Sequence, residues 1–359
     1  MRKLEYTITD LDGATVVRQV MKDKLRLSDK EISHAKHFDD GITAELNLRF
    51  GGEGRRRLHA NLYERCQEAD ARDARGTEKD ASKKNADNHF FVKVRVNETL
   101  YPGEILTVTL HEMEDDRGRI IPVPGPVEII YEDDDIILLN KPAGIVAHPS
   151  PGHTKDSLSN HLAFYYEAKN DPHRIRIIGR LDKEASGVLL FAKTRMAAGA
   201  LRREGAYDKE YLAVCSGFFS KNEESGTIKF PIMKRPEVIL KREISPDGEK
   251  AVTHYRVLLQ GNGMALVRLT LETGRTHQIR LHMAKTGHPL IGDRIYGPDA
   301  DDRNLQEQSV QTSQDTQSTH AMLHAEKMHI VHPVSGKEMT FTAEIPPDMQ
   351  LLIGQMRKN

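Results

Sequence analysis

The spacing of apolar residues in the first part of the chain predicts a small module of two helices and a hairpin. Residues 13–42 carry valines at helical spacing, then the capping-box pattern of Ser28–Glu31 at the start of a second helix, with Gly41 as a helix stop. Residues 92–110 alternate between apolar and polar side chains on both sides of a turn, which predicts a β-hairpin.

A longer region follows, in which short apolar runs mix with helical patterns such as residues 195–204. The mixture lacks the regular strand–helix alternation of a parallel sheet, so it favours an α+β fold. The strand candidates are residues 136–139, 188–192, 211–215 and 265–271.

Polar stretches and stretches rich in proline and glycine divide the chain into domains. We expect a first domain at residues 1–112, interrupted by a charged insertion at about 51–88 that has few apolar residues. Prolines and glycines cluster at the end of a linker expected at 113–127. The second domain is expected at 128–350, with a polar loop at about 298–319.

Composition narrows the class of protein. The 359 residues include no apolar run long enough to cross a membrane, and the first residues lack the apolar core of a signal peptide. The two cysteines, Cys66 and Cys215, make neither a disulfide framework nor a zinc site. These features favour a cytoplasmic protein.

The net charge of the whole chain is −1, which by itself argues against a nucleic-acid-binding protein. The charge is unevenly distributed, however. Residues 171–297 hold 22 basic and 14 acidic side chains, a local net charge of +8, whereas residues 1–170 carry −5 and residues 298–359 carry −4. Such a basic block can neutralise phosphates locally, or it can be a chance feature of a solvated surface.

The segment IIGRLDKEASGVLLFAKT, residues 177–194, holds the first candidate for chemistry, Asp182. Apolar runs flank the aspartate, so a rigid scaffold can present its carboxylate in a polar loop. An ionised carboxylate between the cations Arg180 and Lys183 can act as a nucleophile or a base. A turn aspartate that pairs with a neighbouring arginine explains the same residues.

Three further segments carry residues suited to an RNA ligand. In KEYLAVCSG, Tyr211 begins a strand and either stacks on a base or is an ordinary strand tyrosine. In LETGRTHQIRLHMAKTGHPLIGD, Thr276 is predicted to cap a helix that contains Arg280, with Arg275 just before it. These arginines can bind a carboxylate or phosphate, or lie exposed. In ILLNKPAGIVAHPSPGH, Lys141 either approaches phosphate or belongs to a structural loop.

Other chemistries lack a complete motif. His320, His324, His329 and His332 lie close together in the sequence, and the first pair has the spacing of helical metal ligands. No acidic or cysteine cluster in the sequence completes a metal site. The phosphate-binding loops of nucleotide cofactors and the nucleophile elbow of hydrolases are also missing from it. We therefore expect neither a metal nor a cofactor.

Taken in order, these segments resemble bacterial pseudouridine synthases, most closely the group that acts on large-subunit ribosomal RNA. The resemblance covers residues 140–333, and five ordered motifs make it highly specific. The segments at 13–42 and 92–110 resemble the alpha-L type RNA-binding domain often found ahead of this catalytic domain. The matching motifs are NKPAGIVAHPS, GRLDKEASGVLLFAKT, KEYLAVCSG, TGRTHQIRLHMAKTGHPLIGD and LHAEKMHIVHP.

The resemblance implies a fold, a reaction and a set of roles. The second domain is expected to contain a long mixed, mainly antiparallel β-sheet with flanking helices. The enzyme is expected to detach uracil from C1′ of a flipped uridine, rotate it and rejoin it through C5, without a cofactor. Asp182 matches the family's essential aspartate, Tyr211 a tyrosine that packs on the base and takes part in proton removal, and Arg280 an arginine that pairs with the aspartate. The residues expected to bind RNA are Arg180, which matches a residue that fills the space of the flipped nucleotide, and Lys183, Arg275, His277 and Lys141.

Gly179 departs from this pattern. The large-subunit group usually has His-Arg-Leu-Asp where this chain has Gly-Arg-Leu-Asp, and the glycine resembles a sister group that includes small-subunit enzymes.

Taken together, the sequence features predict a monomeric, cytoplasmic RNA pseudouridine synthase. Its expected substrate is large-subunit ribosomal RNA, with tRNA or small-subunit rRNA as alternatives. A non-catalytic RNA-binding or ribosome-assembly factor is the second hypothesis.

Overall fold

The chain forms two compact units, Met1–Asp116 and Arg117–Asn359, in a computed structural model. The predicted insertion at about 51–88 and the predicted loop at 298–319 lie outside the described residues, as does Ser28, the expected helix cap. The structure describes residues 2–27, 29–38, 40–47, 89–110, 120–171, 173–234, 241–297 and 320–357.

The first unit consists of a four-stranded antiparallel sheet and two short helices. Its elements are β1 (Arg2–Thr7), β2 (Thr15–Val16), α1 (Val17–Asp23), α2 (Asp29–Ala35), β3 (Ile42–Asn47), β4 (His89–Lys93), β5 (Thr99–Leu100) and β6 (Ile105–Leu110). The strand order in the sheet is β1–β6–β3–β4, and β2 pairs separately with β5. The two helices predicted within 13–42 are confirmed.

The hairpin predicted at 92–110 is wrong. Strands β4 and β6 do not pair with each other, since β3 lies between them and pairs with both. A hairpin needs two strands joined by a tight turn. The segment between β4 and β6 instead contains β5, which pairs with β2, and the unpredicted β1 covers the other edge of β6. Alternation identified the strand segments but not their partners.

The second unit is built on one long sheet. Its strands are β7 (Ile129–Glu132), β8 (Ile136–Lys141), β9 (Arg176–Ile178), β10 (Ser186–Ala192), β11 (Tyr207–Ser216), β12 (Ser225–Ile228), β13 (Ile232–Lys234), β14 (Arg242–Ile244), β15 (Thr253–Gly261), β16 (Met264–Leu271), β17 (Leu323–Val331) and β18 (Glu338–Thr342). Its helices are α3 (Leu158–Ala168), α4 (Arg195–Leu201), α5 (Gln278–Lys285) and α6 (Pro347–Met356), with a short 3₁₀ helix at Lys221–Glu223.

Ten of these strands form the long sheet, in the order β12–β15–β16–β11–β17–β10–β8–β7, with β9 on β10 and β18 on β17. Its neighbouring strands are antiparallel except β10 and β17, which are parallel. The predicted α+β class and the long mixed, mainly antiparallel sheet are confirmed. The four predicted strand segments correspond to β8, β10, β11 and β16, and the predicted helix to α4.

Strand β8, which lies between β10 and the edge strand β7, is buried on both faces. Ile137 and Leu139 pack in a core with α3 and α5, whereas Ile136 and Leu138 pack in a core with α4 on the opposite face. This double burial explains why the segment reads as a continuous apolar run. In the described ranges no helix is both long and apolar enough to cross a membrane.

The described part of the predicted linker, residues 120–127, is packed on α3. The amide of Val123 donates to the carbonyl oxygen of Asn160 (3.1 Å). The side-chain amide of Asn160 donates in turn to the carbonyl oxygen of Ile121 (2.7 Å). These residues therefore belong to the second unit, because buried polar groups of α3 depend on them.

Gly187 allows strands β10 and β17 to approach closely. It pairs with Ala325 at a φ of +112°, and a Cβ atom there would lie 2.3 Å from the Ala325 carbonyl oxygen. We therefore expect Gly187→Ala to lower the free energy of unfolding by about 3 kcal/mol, because backbone would have to move. Urea denaturation measures this change.

Gly199, in α4, provides the matched control. A Cβ atom on Gly199 would meet no atom within 4 Å. Gly199→Ala is expected to raise the free energy of unfolding by about 0.5–1 kcal/mol, because alanine favours helix. Equal effects of the two substitutions would contradict the argument.

Candidate active site

Asp182 lies between β9 and β10, at a cleft of about 920 Å³. The cleft is also bordered by β11, by the end of α4 and by the turn that precedes α5. It brings together four of the predicted site residues. These are Arg180, Asp182, Tyr211 and Arg275.

Two buried lysines hold the backbone on either side of Asp182. Nζ of Lys209 donates to the carbonyl oxygen of Arg180 (3.2 Å), and Nζ of Lys141 donates to the carbonyl oxygen of Lys183 (3.2 Å). Buried carbonyl groups need such partners, so the two bonds restrict the loop before and after the aspartate.

Lys141 is not a surface cation. Its side chain is fully buried, and its ammonium group also donates to the carbonyl oxygens of Pro142 and Ile145, both at 2.8 Å. All three donors are therefore used inside the protein, which corrects the prediction that Lys141 binds RNA. Burial lowers the pKa of Lys141 to about 7, although the nearby charge of Asp182 opposes the shift.

The carboxylate of Asp182 is partly exposed in the cleft. Among the residues that the structure describes, none donates a hydrogen bond to it or forms an ion pair with it. Its negative charge nevertheless acts through space, because it adds an upward contribution to the pKa of surrounding groups, which burial outweighs in Lys141 and His277. These groups are Lys141, Tyr211, His277 and Arg280.

Tyr211 is held in the middle of the sheet. It pairs with Leu269 on β16 and with Ala325 on β17, beside an irregularity in register at Glu210. The side chain is 7% exposed and borders the cleft. Burial raises the pKa of Tyr211, and the charge of Asp182 adds to the shift, so the phenol is protonated at neutral pH.

The predicted ion pair between Arg280 and Asp182 is not formed. Arg280 instead binds Asp293 through two hydrogen bonds of 2.7 Å, from Nε to Oδ2 and from Nη2 to Oδ1. Burial alone would lower the pKa of Arg280, but these bonds outweigh it and raise the pKa. Burial raises the pKa of Asp293 and the arginine lowers it by more, so both partners are charged.

The start of α5 also differs from the prediction. Thr276 does not cap the helix, because α5 begins at Gln278 and the residue before it, His277, has a φ of +57°. The Gln278 side chain orders this turn instead, since its oxygen accepts from the amide of Arg275 (3.0 Å). Its nitrogen donates to the carbonyl oxygen of Val252 (3.0 Å), which ties the turn to the sheet.

His277 points to a tyrosine. Burial lowers the pKa of His277 to about 4, so the ring is neutral at physiological pH. Its Nδ1 forms a hydrogen bond with the Tyr296 hydroxyl (3.1 Å), and that hydroxyl accepts from the amide of Arg242 (2.8 Å). The lining of the cleft, taken over the described residues, does not include His277, and its expected contact with RNA has no support in this geometry.

Three predicted RNA-binding cations lie at the surface. Arg180 is exposed at the cleft. Arg275 is also exposed there, and it forms a 2.7 Å ion pair with Glu249. Lys183 is exposed outside the cleft, with Nζ 3.5 Å from Nε2 of His153.

Comparisons with known proteins show the family to which the chain belongs. Residues 135–285 match the family described as RNA pseudouridylate synthase. The chain is 35% identical over 263 residues to "Uncharacterized RNA pseudouridine synthase YjbO" of Bacillus subtilis (strain 168), which covers 72% of this chain and 87% of that protein. The chain belongs to the RNA pseudouridylate synthase family. It is also 38% identical over 258 residues to "Ribosomal large subunit pseudouridine synthase D" of Escherichia coli (strain K12), covering 70% of this chain and 76% of that protein.

The resemblance that five sequence motifs carried is confirmed by these matches. This pseudouridylate synthase is an isomerase that acts on uridine in RNA. The second hypothesis, a non-catalytic RNA-binding or ribosome-assembly factor, is not favoured.

Sequence reasoning missed three residues of the synthase. Lys209 and Tyr207 alternate with Tyr211 along β11, and a period of two could have placed all three at the cleft. Asp293 lies in the GHPLIGD end of a motif already singled out, as an acid next to apolar residues. Nothing in the spacing links Asp293 to Arg280, because the link depends on how the chain returns after α5.

The backbone conformation and a nearby tyrosine, Tyr207, both favour glycine at position 179. Gly179 has a φ of +74°, and a Cβ atom there would lie 2.6 Å from the Tyr207 hydroxyl oxygen. The tyrosine therefore occupies the space that a side chain at position 179 would need. Where the large-subunit group usually has a histidine, this chain therefore has a glycine next to the ring of Tyr207.

The four C-terminal histidines each have a separate partner. His324 bonds Ser186 (2.9 Å), and His320 bonds Asp348 (2.9 Å). His329 bonds Thr340 (2.8 Å). His332 lies with Asp133 and Asp135, but the Asp133 carboxylate accepts from two backbone amides, from Tyr131 and from His332. These contacts describe a hydrogen-bonded turn.

Lys209 is expected to make stability depend on pH. Burial lowers its pKa to about 8, whereas an ordinary lysine titrates near 10.5. Between these values the unfolded chain holds a proton that the folded protein has released. The contribution of Lys209 to the free energy of unfolding therefore rises with pH, by up to about 1.4 kcal/mol per unit.

Lys209→Met removes this contribution. The stability of the parent relative to Lys209→Met is expected to increase from pH 8 to pH 9, as measured by urea unfolding at both values. Lys250→Met, which removes an exposed lysine of the same cleft, is the control. A parent-to-variant difference that is the same at the two pH values would contradict the effect of burial.

Proposed function

We propose that this synthase isomerises uridine in large-subunit ribosomal RNA, with Asp182 reacting at the sugar. The observation that carries the proposal is the Asp182 carboxylate, which lies partly exposed in the cleft on a loop fixed by two buried lysines. Relatives from Pasteurella multocida and Escherichia coli that are named ribosomal large subunit pseudouridine synthase D support the choice of RNA.

The reaction breaks the C1′–N1 bond and forms a C1′–C5 bond. C5 loses a proton and N1 ends with one, so atoms balance without a cofactor. Asp182 acts at C1′, as the nucleophile or by assisting elimination. The detached uracil turns against the Tyr211 ring. The phenol oxygen takes up the proton that leaves C5 while its own proton passes to water, so the phenol stays neutral.

The cations in and around the cleft have separate roles in the proposed mechanism. Arg280 is buried and acts on the reacting carboxylate through space. Arg180, exposed at the cleft, fills the space of the flipped nucleotide. Arg275 and Lys183 contact phosphate from the surface.

Asp182→Asn is the direct test of the mechanism. The substitution keeps the size of the side chain and removes the charge, so folding and RNA affinity should change little while pseudouridine formation is lost. Single-turnover assays on transcribed rRNA, with a melting curve and a binding titration, measure the three quantities. Asp247→Asn makes the same change at an exposed turn and should be fully active. Normal turnover by Asp182→Asn would exclude the proposed mechanism.

Tyr211→Phe separates the ring from the hydroxyl. The ring should still support the base, so RNA affinity should be maintained. Loss of the proton relay should lower the single-turnover rate constant by about 100-fold or more. An unchanged rate constant in a folded variant would remove the hydroxyl from the mechanism.

The substrate is tested in cells. Pseudouridine mapping of total RNA with and without the gene should show one or more large-subunit positions that depend on it. Dependence only in tRNA or small-subunit rRNA would replace the substrate and leave the chemistry in place. A monomeric state and a cytoplasmic location stay predictions.

The first unit is included in the proposal as an RNA-binding domain of the alpha-L type. The exposed face of its helix α1 carries Arg18 and Lys22, which both form ion pairs with Asp29. Replacing both by glutamine in the full chain should weaken rRNA binding without changing the rate constant at saturating RNA. Unchanged rRNA affinity would exclude a contact through α1.

A further inference from the structure

We propose that Tyr207 is a specificity-determining residue, whose hydroxyl recognises the base of a nucleotide next to the flipped uridine. The inference rests on the proposed function, because it takes Asp182 as the group that reacts with that uridine. It concerns which RNA sequence is accepted and assigns Tyr207 no part in the chemistry.

The fold holds the ring of Tyr207 in one place. Tyr207 is the first residue of β11 and pairs with Ile330 on β17, and its ring packs against the core that contains Ile178 and α4. The carbonyl oxygen of the preceding residue, Ala206, accepts from the amide of Val331 (3.0 Å). Strand pairing and packing therefore fix the direction in which the ring points.

The hydroxyl of Tyr207 is available to a ligand. Tyr207 lines the cleft, and its hydroxyl oxygen is accessible and forms no hydrogen bond with any residue that the structure describes. Burial of the ring raises the pKa of Tyr207, and the charge of Asp208 adds to the shift, so the hydroxyl is protonated at neutral pH. Such a hydroxyl both donates and accepts hydrogen bonds.

This hydroxyl lies beside the loop that carries Asp182. A Cβ atom on Gly179 would lie 2.6 Å from the hydroxyl oxygen and 3.2 Å from the ring carbon that bears it. Gly179 is three residues before Asp182, so their Cα atoms are no more than about 11 Å apart. Arg180, which follows Gly179, is proposed to fill the space of the flipped nucleotide. The hydroxyl is therefore placed beside that space, where the flanking nucleotides lie.

The charges around Tyr207 favour a base over a phosphate as its partner. This part of the cleft is bordered by two exposed cations and two exposed acids, Arg202, Arg203, Glu204 and Asp208. Because these charges balance, they give no net attraction for phosphate. A neutral group that donates and accepts instead matches the edges of bases, through which RNA sequence is read.

A strand tyrosine that only fills space is the competing explanation, and the chain offers a matched control. Tyr255 on β15 is also partly buried, lies against a glycine, Gly226, and has no hydrogen bond from its hydroxyl to any described residue. It is not part of the cleft lining in the described ranges. Tyr255→Phe should therefore leave RNA recognition unchanged. If Tyr207 only fills space, Tyr207→Phe should behave in the same way.

The test is a cycle of substitutions in the protein and in the RNA, made with the full chain. The substrate is a transcribed fragment of the RNA that pseudouridine mapping identifies, in which each nucleotide flanking the target uridine is replaced by the other three bases. The parent should discriminate between bases at one flanking position by about fivefold in kcat/KM, through KM, as the loss of one hydrogen bond predicts.

Tyr207→Phe removes the hydroxyl and keeps the ring. It should accept all four bases at that position within about twofold, with an unchanged melting temperature and an unchanged rate constant at saturating RNA. Any effect of the base changes on RNA folding is the same for both proteins and cancels in the comparison. Tyr255→Phe should discriminate as the parent does.

Three results would overturn the proposal. The first is a folded Tyr207→Phe variant that discriminates between bases as the parent does. The second is a uniform weakening by Tyr207→Phe for every RNA, which indicates a contact with sugar or phosphate. The third is a parent that accepts all bases equally at both flanking positions. Activity in Asp182→Asn would instead overturn the proposed function and would leave base discrimination by Tyr207 untouched, so the two failures are distinct.

Discussion

Burial of charged groups beneath the cleft is the constraint on which this site depends. Lys141, Lys209, Arg280 and Asp293 are all shielded from solvent. An unpaired ion in such a place costs several kcal/mol, so the fold must give each one partners. The lysines bind backbone carbonyl groups, and the arginine and aspartate bind each other. Each lysine has one partner on the loop of Asp182, and Asp293 follows α5, so satisfying these charges also helps to build the site.

The buried lysines and the Arg280–Asp293 ion pair affect Asp182 in different ways. The lysines act on the backbone, and their lowered pKa values show that burial works against their charge. The Arg280–Asp293 pair is electrically balanced and keeps its charges. A rigid loop and a fixed cation together leave the Asp182 carboxylate accessible without a bound counter-ion. This arrangement suits the role proposed for Asp182, at some cost in stability.

Local signals predicted the fold and part of the site. Alternation and continuous apolar runs identified β8, β10, β11 and β16, because the burial of a strand determines which of its consecutive residues are apolar. The motifs singled out Asp182 and Tyr211, and the structure places both at the same cleft. The partners of Arg280 and Lys141 could not be predicted, because they are set by chain segments that meet only in the folded unit. The hairpin at 92–110 failed for the same reason, since β3 supplies the pairing from outside the segment.

The net charge of the basic block, residues 171–297, overstates the positive charge that is available at the cleft. Its net charge of +8 counts Lys209 and Arg280, whose charges are used inside the protein. Arg180 and Arg275 are exposed at the cleft, but Asp208 and Glu272 border the same space. The field at the cleft is therefore weaker than the count suggests. Recognition of RNA must then depend on where a few exposed arginines stand relative to Asp182, so shape carries more of the specificity than charge.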